Sequence, residues 1–511
     1  MPRQRWTRWG WRAAALGAGA LLGLVFSEAG LWWWAYVGLA PVLVMVAGSP
    51  GMGEALWRTW FAAFGFVVVV HHWLAGALGF FLVLVVAASA TAWLPFGAVA
   101  YCSLRRVGRW RSLAACMVLL PAVWVVTEVV RSVPLLAGSW GALGLSQSPF
   151  PAVLGVAALG GVWLLSALLV ATNVAAAVAV LPGVPWSRRV AALAAAAALV
   201  GAGLLYGATR PDPDVVGTLR VAGVQPGVVD DGAARLDAHI TLTEQLPERG
   251  LDLVVWGQSS VAFDLDEDAA VRRRLQETAE ELQAGLLVNT DGRGRDGRIS
   301  KTSVLIRPGI GPTDRYTKQR LVPFGEYIPA RPVLGWLGRF TAAADEDRQP
   351  GSGLVVMDIA GVGVGTLISY ESTFADLRRA VARRGAELIV VQASSTTFQG
   401  TWAQPQQAQM EAVRAAESGR PSVLVAVSGT SAVFDAGGRR LAWLPASDTG
   451  TFVLSIPVAV RDTPFVRYGD WVPASSAAVC VLAAARWLFR RRRAGRADAV
   501  RDVTGFRSPA S

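Results

Sequence analysis

Long apolar stretches separated by clusters of arginine constrain this chain more than any other feature. A membrane-spanning helix needs about 20 largely apolar residues. Eight stretches fit, centred near Leu21, Ala40, Val67, Val86, Val123, Leu168, Ala197 and Ala483, the second and third irregular in outline. The first follows Arg3, Arg5, Arg8 and Arg12, as a signal peptide would. No small-residue cleavage site precedes the next apolar run, so it is read as a retained helix. Arginine marks the cytoplasmic ends of membrane helices. With eight spans, Arg3 to Arg12, Arg58, the group Arg105, Arg106, Arg109 and Arg111, the pair Arg188 and Arg189, and Arg490 to Arg493 all fall on the cytoplasmic side. Seven spans would break that alternation. The same count places both termini in the cytoplasm and the large polar segment 209–470 outside.

Composition supports this reading. The chain is 53% hydrophobic and 17% charged, against about 25% charged in soluble proteins. That excludes a wholly soluble enzyme and a disordered chain alike. The net charge of +11 does not make it a nucleic-acid binder. The arginines sit beside apolar runs, and no recognition-module signature accompanies them. Of 48 basic residues, only Lys301 and Lys318 are lysine, which makes both worth attention.

The polar segment has an α/β rhythm. Strand-like runs cover 219–225, 251–257, 284–290, 362–369, 386–394 and 421–429. Amphipathic helical runs, such as DEDAAVRRRLQETAEELQ and AQPQQAQMEAVRAAESG, lie between several of them. The alternation predicts a layered, sheet-centred fold. The expected division is a seven-helix membrane domain over 1–208, an extracytoplasmic domain over 209–470, a final spanning helix over 471–490, and a basic, disordered cytoplasmic tail over 491–511. Cys102, Cys116 and Cys480 all lie in or beside apolar stretches. They make neither a disulfide framework nor a zinc site, and the segment 209–470 contains no thiol.

Three places in that segment carry chemistry. LDLVVWGQSS is a buried-type strand ending at Gln258, and strand ends in α/β folds present polar groups to a cleft. YTKQRLVPFGEYIP sets Lys318 eight residues before Glu326, with proline and glycine fixing the backbone between. VGVGTLISYES runs a small-residue strand into Ser369, Tyr370 and Glu371. A nucleophile at such a turn is exposed beside backbone N–H groups, although a serine there also serves as an ordinary helix cap.

With GLWWWAYVGLAPVLVM, WVVTEVVRSVPLLAGSWGALGLSQ, AALGGVWLLSALLVATN, VAGVQPG, SGTSAVFDAGGR and RYGDWV in order along the chain, these motifs make it resemble the apolipoprotein N-acyltransferase family. This is the membrane branch of the nitrilase (carbon–nitrogen hydrolase) superfamily. The resemblance implies a multi-pass α-helical bundle of about eight spans carrying an extracytoplasmic nitrilase-like αββα sandwich. It implies transfer of a fatty acyl chain from phospholipid, through a thioester, to the N-terminal diacylglyceryl-Cys amine of lipoproteins. It calls for no cofactor and no metal. The implied partners are membrane phospholipid and lipoprotein, with no nucleic acid.

The family's catalytic set is Glu, Lys and Cys. Carried onto this sequence, the Glu position is Gln258, the Lys position Lys318 and the Cys position Ser369. Glu326, Tyr370 and Glu371 keep the accessory positions, while a stretch expected to read Asn-Asp-Ala-Trp-Phe-Gly reads SSTTFQG over 394–400. A neutral amide takes no proton at working pH, and a serine hydroxyl needs a base where a tuned thiol does not. These changes predict an impaired or inactive copy. Such a copy would be a silent lipoprotein- or phospholipid-binding scaffold, working beside an active paralogue or as membrane partner of a polyprenol-phosphate mannosyltransferase, a glycosyltransferase. The alternative is an active acyltransferase working through a Ser369–Lys318 dyad. Two further features are structural expectations. Glu128 and Arg131, three apart near a helix end, suggest an ion pair inside the membrane. Adjacent His71 and His72 suit a membrane interface better than a metal.

Overall fold

The computed structural model describes residues 2–504 except 137, 211–212, 247–249, 294–296 and 340–345. Among the described residues, seven helices are long and apolar enough to cross a membrane: Thr7–Phe26, Met52–Leu78, Phe81–Leu104, Trp110–Arg131, Pro151–Val180, Trp186–Thr209 and Trp471–Arg490. Seven of the eight expected centres fall in them. The eighth, at Ala40, lies in the shorter apolar element Leu31–Ala47, where a 3₁₀ turn (Leu31–Tyr36) precedes a short α-helix (Ala40–Ala47). Asn173, fully buried on a neighbouring helix, ties that junction. Its Oδ1 accepts from Leu39 N (2.7 Å) and Ala40 N (3.0 Å), and its Nδ2 donates to Ala35 O.

The last helix runs from Trp471 to Thr504. Residues 491–504, expected as a disordered tail, therefore continue it. Arginine and alanine are both good helix formers, so the basic composition extends the helix. Residues 505–511 of that expected tail lie outside the described residues.

The polar segment forms two six-stranded sheets. The first contains β1 (Asp214–Gln225), β2 (Leu253–Trp256), β3 (Gly285–Arg293), β4 (Ile299–Arg307), β5 (Gly311–Thr317) and, from the end of the domain, β12 (Gly450–Val460). Its order is β12-β1-β2-β3-β4-β5. The second contains β6 (Val356–Ile359), β7 (Val362–Ile368), β8 (Leu388–Ala393), β9 (Ser422–Ala426), β10 (Ser431–Phe434) and β11 (Arg440–Leu444), in the order β11-β10-β9-β8-β7-β6. In each sheet three central strands run parallel and antiparallel strands flank them. The parallel strands β2, β8 and β9 are buried along their whole length, as strands covered on both faces must be. Helices Gly232–Glu244 and Ala269–Leu282 pack on the first sheet, and Ala375–Arg383 and Ala403–Ser418 on the second. The outcome is the expected αββα sandwich.

Gln392 fastens the sheets together. From β8 its Nε2 donates to Trp256 O (2.7 Å) on β2 and Leu287 O (3.2 Å) on β3, while its Oε1 accepts from Ser303 on β4. A buried amide with both ends satisfied also fixes the register of the contact.

The sandwich is bolted to the membrane helices by buried polar contacts. Arg414 pairs with Glu417 on its own helix, and its guanidinium reaches Ser139 in the membrane domain and the Ser372 and Thr373 carbonyls. Glu417 Oε1 accepts from Val162 N (2.6 Å). Helix Pro151–Val180 breaks just before that point, where Gly161 has φ +70°, so Glu417 caps its second half. The stretch 394–400 docks here too. Phe398 meets the Trp73 ring edge-on at 4.8 Å, and next to it Trp402 meets His72 at 4.7 Å. Each histidine has its Nδ1 within hydrogen-bond reach of a main-chain oxygen, Val67 O for His71 and Val69 O for His72.

Candidate functional site

The parallel strands of both sheets deliver their C-terminal ends to one place. β2 ends at Trp256, and Gly257 then passes so close to the other sheet that any side chain would collide with the Val427 amide nitrogen. Gln258 follows, its N–H donating to Ala393 O (3.0 Å) at the end of β8. Across the second sheet, Ile368 of β7 is in register with Gln392. Ser369, one residue on, therefore lies beside Ala393 as Gln258 does. The end of β8 stands between the two.

Ser369 opens a 3₁₀ turn (Ser369–Thr373) with φ +48°. A left-handed serine is strained and persists only where its surroundings hold it. Glu371 supplies the hold. Its Oε2 accepts from Ile368 N (2.8 Å), the residue before the serine. Its Oε1 accepts from Gln319 N (2.8 Å) and Arg320 N (3.1 Å), the two residues after Lys318. Tyr316 OH donates to the same carboxylate at 2.8 and 2.9 Å. One fully buried carboxylate thus draws the Lys318 segment and the Ser369 turn together. Burial pushes its carboxyl up, against the pull of the Arg320 and Ile368 N–H groups and the Lys318 charge. Burial and the Glu371 charge likewise push the Tyr316 phenol up.

Lys318 is 1% exposed. Its Nζ donates to Glu326 Oε1 at 2.8 Å, and Glu326 Oε2 accepts from Val322 N (2.8 Å). The intervening VPFG turn carries another strained residue, Phe324, at φ +63°. Gln258 is also buried, at 7% exposed, and its Oε1 has no hydrogen-bond partner among the described residues. Ser369 is half-buried, and its hydroxyl makes no hydrogen bond among the described residues. Tyr370 turns away from this cluster and donates to Pro134 O (2.6 Å) in the membrane domain.

The structure therefore brings together Gln258, Lys318, Glu326, Ser369 and Glu371, and gives Tyr370 to the domain junction. Sequence reasoning missed Tyr316, which lies near the end of β5, two residues before Lys318, and meets the Glu371 carboxylate there. It also missed what surrounds Lys301. That side chain donates to Asp291 Oδ1 (2.8 Å) and to Ser259 Oγ (2.7 Å). Ser259, next to Gln258, is held in a left-handed conformation at φ +56°. Among the described residues, no group of three or more His, Cys, Asp and Glu side chains could hold a metal.

Residues 18–175 match the family described as apolipoprotein N-acyltransferase N-terminal domain, and residues 220–465 match carbon-nitrogen hydrolase. Apolipoprotein N-acyltransferase of Pseudomonas aeruginosa is 28% identical over 515 residues, covering 94% of this chain and 96% of its own. The protein of that name from Azotobacter vinelandii is 29% identical over 526 residues, covering 96% and 98%. That from Gloeobacter violaceus is 27% identical over 493 residues, covering 92% of each chain.

Proposed function

Because this chain belongs to the apolipoprotein N-acyltransferase family within the carbon–nitrogen hydrolases, we propose that it keeps the family's binding frame for membrane phospholipid and lipoprotein but is silent in acyl transfer. The observation that carries this reading is that buried Lys318 is paired with Glu326 while the buried position 258 holds an uncharged Gln.

Acyl transfer through Ser369 would break the phospholipid ester, form an ester on Oγ and release a lysophospholipid. The hydroxyl proton must go to a base as the bond forms. The groups around Ser369 are all committed. Gln258 is neutral. Lys318 donates to Glu326, and an ammonium bound to a carboxylate is not the free amine that a serine–lysine dyad uses. Both oxygens of Glu326 and both of Glu371 accept hydrogen bonds already. A positioned base contributes about 10²–10⁴-fold; that contribution is missing here, in addition to the change from thiol to hydroxyl. The frame itself favours retained binding: strained turns, buried ion pair and domain junction are all built.

On this reading the protein sits in a bacterial inner membrane with both termini cytoplasmic and the sandwich outside. It holds lipoprotein or phospholipid for a partner enzyme, such as an active paralogue or a membrane glycosyltransferase.

Intact-protein mass after incubation with phospholipid tests the chemistry. The wild-type chain gains no acyl mass, and the double variant Gln258→Glu, Ser369→Cys gains one chain as a thioester. Acyl mass on the wild type that disappears in Ser369→Ala would establish the serine–lysine dyad instead.

A further inference from the structure

The chain has two lysines among its 48 basic residues, and they meet. The main-chain oxygen of Lys301, on β4, accepts from Lys318 N (2.9 Å). The Lys301 side chain is tied to the neighbour of Gln258. Its Nζ donates to Ser259 Oγ (2.7 Å) and to Asp291 Oδ1 (2.8 Å), and Ser259 Oγ donates to that same Asp291 oxygen (3.2 Å). The three groups close a cycle, with Lys301 buried and the other two half-buried. One residue thus touches the segments that carry two of the site positions, Gln258 and Lys318.

Sheet register accounts for part of this. Asp291 of β3 stands opposite Lys301 of β4, and opposite charges on facing strands pair as an ordinary sheet contact. Such a contact needs no third member. Ser259 lies outside both strands and has φ +56°, a conformation that persists only where the surroundings hold it. Here its N–H donates to Asn289 Oδ1 (2.8 Å) while Lys301 and Asp291 hold its hydroxyl. On the other flank, Gly257 has no room for a side chain, and Gln258 N donates to Ala393 O. The backbone is therefore fixed on both sides of residue 258, whose own Oε1 has no partner among the described residues. Direction at this position comes from the backbone. An ammonium suits the link to Ser259, because one small nitrogen with three donors serves two close acceptors.

We propose that Lys301 is a positioning residue of the candidate site: through Ser259 it holds residue 258, and through its main-chain oxygen it holds Lys318, so that both keep one fixed relation to the Ser369 turn. Glu371 ties Lys318 to Ser369, and Lys301 ties Lys318 to position 258. The proposal rests on the reading that the frame of the site is intact.

The test uses the full chain in detergent, with Cys102, Cys116 and Cys480 replaced by serine and Ser369→Cys as the reporter thiol. Its rate of alkylation by iodoacetamide is followed against pH, with position 258 native and with Gln258→Glu. A carboxylate close to a thiol disfavours the thiolate, so with Lys301 in place Gln258→Glu is expected to raise the midpoint of the profile by about half a pH unit or more. In Lys301→Met the same replacement moves the midpoint by less than half as much. Ser259→Ala, which leaves the Lys301–Asp291 pair whole, shows the same loss. An undiminished shift in either variant overturns the proposal, even where the unfolding temperature falls, because Lys301 then serves only the sheet. If Lys301→Met does not fold by thermal unfolding, Ser259→Ala decides. No shift with Lys301 in place overturns the proposal together with the intact frame beneath it. Acyl mass on the wild-type chain would overturn the silent reading alone, since alkylation needs no acyl transfer.

Discussion

At the scale of single residues, Glu371 holds the candidate site together. Its two oxygens satisfy three backbone N–H groups and the Tyr316 hydroxyl. Glu371→Ala leaves four donors without an acceptor, of which the Tyr316 hydroxyl and Ile368 N–H are buried, and each buried orphaned donor costs about 1–3 kcal/mol. The expected outcome is a fall of several degrees in the unfolding temperature of the sandwich. An unchanged temperature would mean that the carboxylate is dispensable to the fold. His239 gives a pH dependence. It packs against Trp256 with ring centroids 4.8 Å apart, and burial pushes its imidazole down to about 4. The unfolded chain, whose histidine titrates near 6.5, then binds more protons than the folded one between those values. Stability supplied by the neutral ring is complete above about 6.5 and is lost as pH falls toward 4, at roughly 1.4 kcal/mol per unit. Thermal unfolding at pH 7 and pH 5 should differ by less in His239→Gln than in the wild type.

At the scale of elements, the closest approach lies between the sheets. A methyl group on Gly257 meets main-chain atoms of the opposite sheet, which cannot rotate aside. Gly257→Ala is expected to cost at least the 1–3 kcal/mol typical of overpacking (about that range), read as a lower unfolding temperature. Which elements were legible in the sequence follows from burial. The six strand-like runs correspond to β1, β2, β3, β7, β8 and β9, all of which contribute to the parallel centres. Such strands are continuous apolar runs. The strands β4, β5, β6, β10, β11 and β12 were not singled out, since several carry exposed or charged positions, as in GPTDRYT of β5. The site positions Gln258, Lys318 and Ser369 stood out because they end strands or sit in a rigid motif. The commitments of Lys318 and Glu371 did not, because they depend on which carboxylate the fold brings to which donor.

At the scale of the whole molecule, the sandwich and the membrane helices share polar contacts that run from Val162 and Ser139 through Glu417 and Arg414 to the turn behind Ser369. The substituted site therefore rests on a frame that spans both parts of the protein. The topology assigned to that frame is open to direct labelling. In a background where Cys102, Cys116 and Cys480 are replaced by serine, Ile310→Cys should react with an impermeant maleimide on intact cells. Trp186→Cys should react only after lysis. Both positions are strongly exposed, at 70% and 77%, so a reversed pattern would mean a reversed orientation.

The most direct test of a silent site on an intact frame is the mass of a diacylated lipopeptide incubated with purified protein and phospholipid. The predicted result is no change with the wild type and a gain of one acyl chain with the double variant Gln258→Glu, Ser369→Cys. A gain of one acyl chain with the wild type, lost in Ser369→Ala, would contradict the account and make Ser369 a working nucleophile.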